Sequence, residues 1–337
     1  MRVRLCLIVG LFLLCGGTAM SSPETTRAAR DFVQDHENRL KKLDIAAGLA
    51  WWDANTTGSK ESFAKKVEAQ NKIDAALSDA KVFATLKGLH EKKADIDELV
   101  TRRAIEVLYR LYLEKQLDAE LLAKMNKLSS DVEEKFNNYR AKVGDKELTD
   151  NQIRDILAQS LNGERLREAW DASKGVGTVV EKDLKELVKL RNQAAVKLGF
   201  KNFHQLQLYL NEQDAESLMK LFDELDTLTR EPFLAAKKDI DDRLAKRYKV
   251  AVKDLMPWHY HDPFFQDTPK VFDSDLDEPF RKADIERMCK VFYDGIGLNI
   301  DRVMAKSDLY EKKGKSQHAF CTDIDREGDV RVLANIQ

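Results

Sequence analysis

The chain has 337 residues, 43% hydrophobic and 34% charged, with 15 Gly and 6 Pro, which excludes a collagen-like chain and an intrinsically disordered one. Lys+Arg number 56 and Asp+Glu 58, and a formal net charge of −2 offers no whole-protein reason to expect nucleic-acid binding. The length allows one large domain or two ordinary ones, and scarce proline with abundant charge points to a helix-rich protein.

Residues 1–19 differ from the rest. Arg2 and Arg4 precede an apolar run, Leu5 to Cys15, broken only by Gly10, and Gly17 and Ala19 stand at the −3 and −1 positions of a cleavage site. This is the pattern of a secretory signal peptide. The run falls short of the ~20 residues of a membrane span, and no later segment approaches that length. The expectation is an exported protein, periplasmic or secreted, without an integral membrane segment. Lipid attachment at Cys15 is the lesser alternative, because Phe12, Leu13 and Leu14 are bulky where small residues are wanted. Removal of 1–19 would leave Cys289 and Cys321, read as two buried thiols or one disulfide. Asn55-Thr56-Thr57 is a glycosylation sequon.

From Ser22 to about Tyr248 the pattern is helical. Ser22-Pro23-Glu24 starts the first helix, and Ala28, Phe32, His36, Leu40 and Leu43 recur at three- and four-residue steps. The segment Trp51–Asn55 with Gly58 breaks the pattern and Ser59 restarts it. A long stretch from Leu99 to Tyr139 ends at Gly144-Asp145, and Thr149 with Gln152 forms a capping box. Asn162-Gly163 is a turn. Val180, Leu184, Leu187, Val188, Ala195 and Leu198 line one face of the next helix, with Gly199 at its left-handed cap. Asn202 and Asp214 are N-cap candidates. Leu218, Leu221, Phe222, Leu225 and Leu228 form a further stripe, and Pro232 kinks that helix or starts another.

Character changes near Leu255. Pro257, Pro263, Pro269 and Pro279 crowd with Trp258, Tyr260, Phe264, Phe265, Phe272, His259 and His261 into an ordered, non-helical, aromatic segment. Helix resumes at Lys282–Phe292. The last residues read as a β-hairpin, with His318–Cys321 leading in, Asp325–Asp329 turning, and Val330–Ile336 returning.

Residue chemistry alone stops short of an activity. Neither His36-Glu37 nor His90-Glu91 is followed by a second His at the required spacing, so H-E-x-x-H is absent from these residues. His259 and His261, two apart in an extended segment, would share a face and meet one ligand, or hydrogen-bond their own loop. Cys321 near His318 reads as a structural strand residue more readily than as a nucleophile. No phosphate loop and no G-x-S-x-G elbow occur.

Several strings in shared order carry a resemblance. They are Trp51–Thr57 followed by Lys65–Ala69, Arg167-Glu168-Ala169-Trp170, Leu187–Ala195 with Leu198-Gly199-Phe200, Pro257-Trp258-His259 with Gln266, and Cys321 with Asp329–Val332. Together, over most of residues 40–337, the chain resembles angiotensin-converting-enzyme-like peptidyl-dipeptidases. The resemblance implies a mainly α fold: a helical half-domain, residues 20–337, with a small antiparallel β element at its C-terminal end. It implies zinc chemistry with ligands and catalytic Glu beyond Gln337, so that 20–337 is the N-terminal part of a longer peptidase domain and holds no catalytic or metal residue. Gln266 then binds a peptide's C-terminal carboxylate, through a one-residue gap in the match. Cys321, Thr322 and Asp323 form a strand edge for the peptide, and His259 and His261 stand behind the site. His261 has no family counterpart, and Asp323 stands where the family often has a small residue. A non-catalytic helical binding module and a related zinc oligopeptidase are the alternatives.

Overall fold

The computed structural model describes residues 23–269, 271 and 278–336; residues 1–19, where a signal peptide is expected, Ser22, Phe272 and Gln337 lie outside them. The architecture is mainly α. Helices α1 (Pro23–Thr57), α2 (Lys60–Leu77), α3 (Ala80–Glu91) and α4 (Leu99–Glu114) are followed by α5 (Ala119–Asn138). A hairpin, β1 (Ala141–Val143) and β2 (Lys146–Leu148), leads into α6 (Asp150–Gln159), α7 (Gly163–Lys174), α8 (Val176–Lys197) and α9 (Phe203–Leu210). The long α10 (Ala215–Tyr248) precedes the aromatic segment, and α11 (Ile285–Gly295) and α12 (Asp301–Lys306) precede strands β3 (Asp308–Tyr310), β4 (Phe320–Asp323) and β5 (Val330–Ile336).

Local chemistry sets most boundaries. Ser59, Asp79, Asn162, Asn202 and Asp214 accept hydrogen bonds from the first-turn amides of the helices they start, satisfying donors that have no intrahelical partner. Thr149 and Gln152 make the reciprocal capping box. Gly199, at φ +89°, closes α8 with Phe200 N–H bonded to the Ala195 carbonyl.

Four expectations are corrected. Helix α1 runs through Trp51–Thr57 without a break, because Trp52, Ala54 and Asn55 are buried on its inner side; only Gly58 interrupts it. The stretch Leu99–Tyr139 is two helices, with Asp118 at the second start, and Gly144-Asp145 is the turn of the β1–β2 hairpin. On α8, Val180, Leu187, Leu190, Ala194 and Ala195 are buried, whereas Leu184 and Val188 are exposed. Pro232 lies inside α10 and so does not start another helix, and Leu221, Phe222, Leu225, Leu228 and Phe233 of the expected stripe are all exposed.

One core packs α1 to α4 around Phe32, Leu86, Ile105 and Tyr112. A second joins the hairpin to α6 and α7 around Ile153, Leu157, Leu166 and Ala169, with Tyr248 and Trp258 against it. A third seats the C-terminal sheet on α1 through Trp52, Ile324 and Leu333. That sheet is mixed, in the order β3-β5-β4. β4 pairs antiparallel with β5, Cys321 opposite Val332, and β3 runs parallel to β5.

Backbone approach fixes the sheet to the helices. A Cβ on Gly58 (φ +64°) would overlap the Gly314 backbone, and one on Gly314 (φ +81°) would lie 2.5 Å from the Thr57 carbonyl oxygen. Beside this contact, Ser316 N–H donates to the Asn55 carbonyl at 2.8 Å. Lys315, 1% exposed, donates to the Asp308 carboxylate at 2.8 Å and to the Asp308 and Tyr310 carbonyls at 2.8 and 2.7 Å, which uses all three ammonium protons. Asn55 itself is 3% exposed and donates to the Trp51 carbonyl and Glu133. In this fold the sequon asparagine is therefore a buried helix residue, closed to a glycan.

Candidate functional site

The aromatic segment begins where α10 ends. Leu244 and Ala245 are buried, and Lys249 in the left-handed region (φ 56°) turns the chain back. Pro257, preset for a helical φ, opens a 3-10 turn from Pro257 to Tyr260. The His259 ring caps its own turn: Nδ1 accepts from Met256 N–H at 2.8 Å, which leaves the neutral ring's proton on Nε2. Burial pushes the His259 pKa down, so the neutral form is favoured.

The two histidines do not lie in an extended pair. His259 sits in the 3-10 turn, while His261 takes φ +71°. Both converge on Tyr248 instead. The His259 and Tyr248 ring centroids are 4.7 Å apart, and His261 Nε2 is 2.8 Å from the Tyr248 hydroxyl. These contacts tie the segment to the end of α10.

Next along the chain stands a residue that sequence reasoning missed. Asp262 is 4% exposed. Its Oδ1 accepts from Arg154 at 2.9 Å, and its Oδ2 accepts from the backbone N–H of Gln266 at 2.7 Å and of Phe264 at 3.2 Å. A carboxylate bridging α6 to successive loop amides fixes where Gln266 stands. The Asp262-Pro263 dipeptide is a turn signal and was the available clue. Phe265, at φ +57°, packs on Trp170 at 5.5 Å and Tyr260 at 6.1 Å, and Lys174 donates to the Pro263 carbonyl at 2.6 Å. Burial lowers the Lys174 pKa, and the ammonium lies over the Trp170 and Phe264 rings, 4.3 and 4.9 Å from their centroids.

Strand β4 reaches the same place from the other side. His318 stacks on Phe136 at 5.8 Å and lies 6.5 Å from Phe264, two residues before Gln266. Two residues later Phe320 starts β4, packed on Trp51 at 4.4 Å. β4 is an edge strand, and among the described residues no strand covers its outer side. Along it, Phe320 and Thr322 are half-buried while Cys321 and Asp323 are exposed, so the three candidate strand residues do not share one face. What they share is a backbone edge. Asp323 also accepts from Arg326 N–H at 3.0 Å, a turn-capping task that accounts for an acid at this position. Cys321 is exposed and Cys289 half-buried, both as free thiols; the buried and the disulfide expectations are both corrected.

No group of three or more His, Cys, Asp or Glu positioned to hold a metal ion occurs among the described residues. None of the described helices is long and apolar enough to cross a membrane.

The sequence profile described as angiotensin-converting enzyme, a peptidase family, matches residues 23–254. The chain belongs to the angiotensin-converting enzyme family. No curated protein sequence matches it. A member of a peptidase family acts on peptides, and the helical body that carries the match is the part whose caps and core were described above. The match stops before His259, Gln266 and β4. The family is zinc-dependent, yet the described residues hold no set of three ligands for a zinc ion, and His259 Nδ1 and His261 Nε2 are engaged by Met256 N–H and the Tyr248 hydroxyl.

Proposed function

We propose that this chain supplies the lid helices and part of the substrate groove of an exported, zinc-dependent peptidyl-dipeptidase, whose metal ligands come from outside residues 1–337. On this reading residues 20–337 are the N-terminal part of the catalytic domain, residues 1–19 direct export, and the chain alone does not cleave peptides. The observation that carries it is that an edge strand and the Gln266 loop meet. The unpaired outer edge of β4 offers main-chain hydrogen bonds to an extended peptide, and the Phe264–His318 contact brings the Gln266 loop to its start. Cys321, Thr322 and Asp323 supply the edge, Gln266 receives the C-terminal carboxylate, and His259 and His261 keep the loop in place.

Sequencing the coding region past codon 337 tests the reading. An H-E-x-x-H segment shortly downstream is expected, and an in-frame stop at that point would sink it. Purified chain incubated with a peptide bearing a free C-terminus is expected to release no dipeptide and to hold no stoichiometric zinc after dialysis. One equivalent of retained zinc would overturn the placing of the ligands. The second reading, a non-catalytic extracytoplasmic binding module, draws on the lack of a metal-binding group among the described residues. It predicts peptide binding with no zinc motif downstream. The third, a related zinc oligopeptidase, predicts cleavage of C-terminally blocked peptides by the longer protein.

A further inference from the structure

A cleft of about 440 Å³ lies between the β1–β2 hairpin and the start of α7, within the range of small-ligand pockets. None of its lining residues belongs to the aromatic segment or to β4. Its floor is apolar: Val143 and Leu148 of the hairpin and Ile156 of α6, each half-buried against the second core. Its rim is charged, with Lys146 from β2 and Glu164, Arg165 and Glu168 from α7, all exposed. None of these four side chains makes a hydrogen bond or ion pair among the described residues, whereas other charges on α6 and α7 are matched, Arg154 to Asp150 and Arg167 to Asp171. Glu164 and Glu168 stand one helical turn apart, the spacing at which like charges repel, and no cation of the chain is bonded to either. A lone anion would meet these two carboxylates, and a lone cation would meet Arg165 and Lys146. An apolar molecule would leave all four charges unmatched. The arrangement is complementary to one molecule that carries an ammonium, a carboxylate and an apolar side chain.

We propose that this cleft binds a zwitterion of amino-acid type. Glu164 and Glu168 take the ammonium, Arg165 with Lys146 takes the carboxylate, and Val143, Leu148 and Ile156 receive the side chain. A free apolar amino acid and a short peptide with unblocked ends offer this same chemistry. The site is separate from Gln266 and β4 and does not depend on the role given to either.

The test is equilibrium binding of the full chain, by calorimetry, to leucine, glycine, N-acetyl-leucine, leucinamide and leucyl-glycine. Leucine is expected to bind about tenfold tighter than glycine, through burial of its side chain. It is also expected to bind about tenfold tighter than N-acetyl-leucine or leucinamide, each of which lacks one charge. Leucyl-glycine carries its carboxylate one residue further on: binding tighter than leucine assigns the site to peptide ends, and otherwise to free amino acids. The double variant Glu164→Gln, Glu168→Gln changes only exposed side chains and is expected to erase the difference between leucine and N-acetyl-leucine. Arg165→Gln with Lys146→Gln is expected to erase the difference between leucine and leucinamide, and it keeps the test open should the first variant fail to fold. Gln266→Ala is expected to leave leucine binding unchanged. Absence of binding by both leucine and leucyl-glycine, equal binding of leucine and its two blocked forms, or leucine binding that survives both double variants unaltered would overturn the proposal. So would leucine binding lost in Gln266→Ala and kept in the double variants, which would place it at the loop instead.

Discussion

Replacing Asp262 separates its two tasks. The carboxylate holds two backbone amides, of Gln266 at 2.7 Å and Phe264 at 3.2 Å, and one guanidinium, of Arg154 at 2.9 Å. Arg154 keeps a second partner, Asp150, at 2.9 Å and is partly exposed, so its loss of Asp262 weighs little. The amides have no substitute acceptor once Asp262 is truncated. Taking roughly 1.5 kcal/mol for each bond to a charged acceptor, Asp262→Ala costs about 3 kcal/mol. Asp262→Asn keeps an oxygen for the amides and loses only the charge, costing about 1 kcal/mol. Denaturant unfolding of the two variants beside the parent chain measures both. Peptide affinity in native buffer reports whether Gln266 has moved. If Asp262→Ala unfolds within 0.5 kcal/mol of the parent, roughly the ordinary effect of a surface change, the carboxylate does not organise the loop. If Asn is as damaging as Ala, the ion pair and not the amide cap is what matters.

Two further outcomes follow from the core contacts. Gly314→Ala places a Cβ 2.5 Å from the Thr57 carbonyl at a φ of +81°. The left-handed conformation alone costs about 1 kcal/mol, and displacing backbone brings the total to about 3 kcal/mol or more; fluorescence of Trp51 and Trp52 should report the sheet loosening, and an unchanged melting midpoint would refute the backbone contact. Stability should also fall with acidification in two windows. His36 is held below its ordinary 6.5 by burial first and then by the charge of Arg39, so the unfolded chain takes the proton first and stability is lost as pH drops below 6.5. Glu212 is held at about 2 against an ordinary 4.5, chiefly by its hydrogen bond to Arg103, so its contribution is present above 4.5 and disappears as pH falls from there towards 2. Urea midpoints across pH check both, and a His36→Gln variant whose midpoint falls as steeply as the parent's between pH 6.5 and 5 would contradict the assignment to His36.

Helix starts were legible because a cap is a local bargain between one side chain and amides two or three residues away, as at Ser59, Thr149 and Asp214. The terminal hairpin was legible for the same reason, through alternation and an acidic turn. What escaped depends on residues far apart in the chain. Nothing local says that Trp52 and Asn55 face inward, since their partners are Phe320 and Asn137. Lys315 looks like one lysine among many until the Asp308 and Tyr310 carbonyls close on it. Asp262 finds Arg154 across 108 positions. At the candidate site, Gln266 and the β4 residues came from resemblance, and the loop that positions Gln266 became visible only in three dimensions.

Helix α10 is fastened near both ends. Glu212, just before it, is ion-paired to Arg103 and Arg110 of α4, and Asp241 and Leu244 near its far end engage Tyr260 and the interior. Between them, residues 219–236 are all exposed. Such a rod is a gauge: its substitutions are free, but its length is not. Deleting one residue from the middle shortens the span by about 1.5 Å and turns the far end by about 100°, which carries Asp241 and Leu244 away from their partners and takes the aromatic segment with them. A stretch that looks disposable by exposure therefore sets the register of the aromatic segment, and natural variation there should change letters without changing their number.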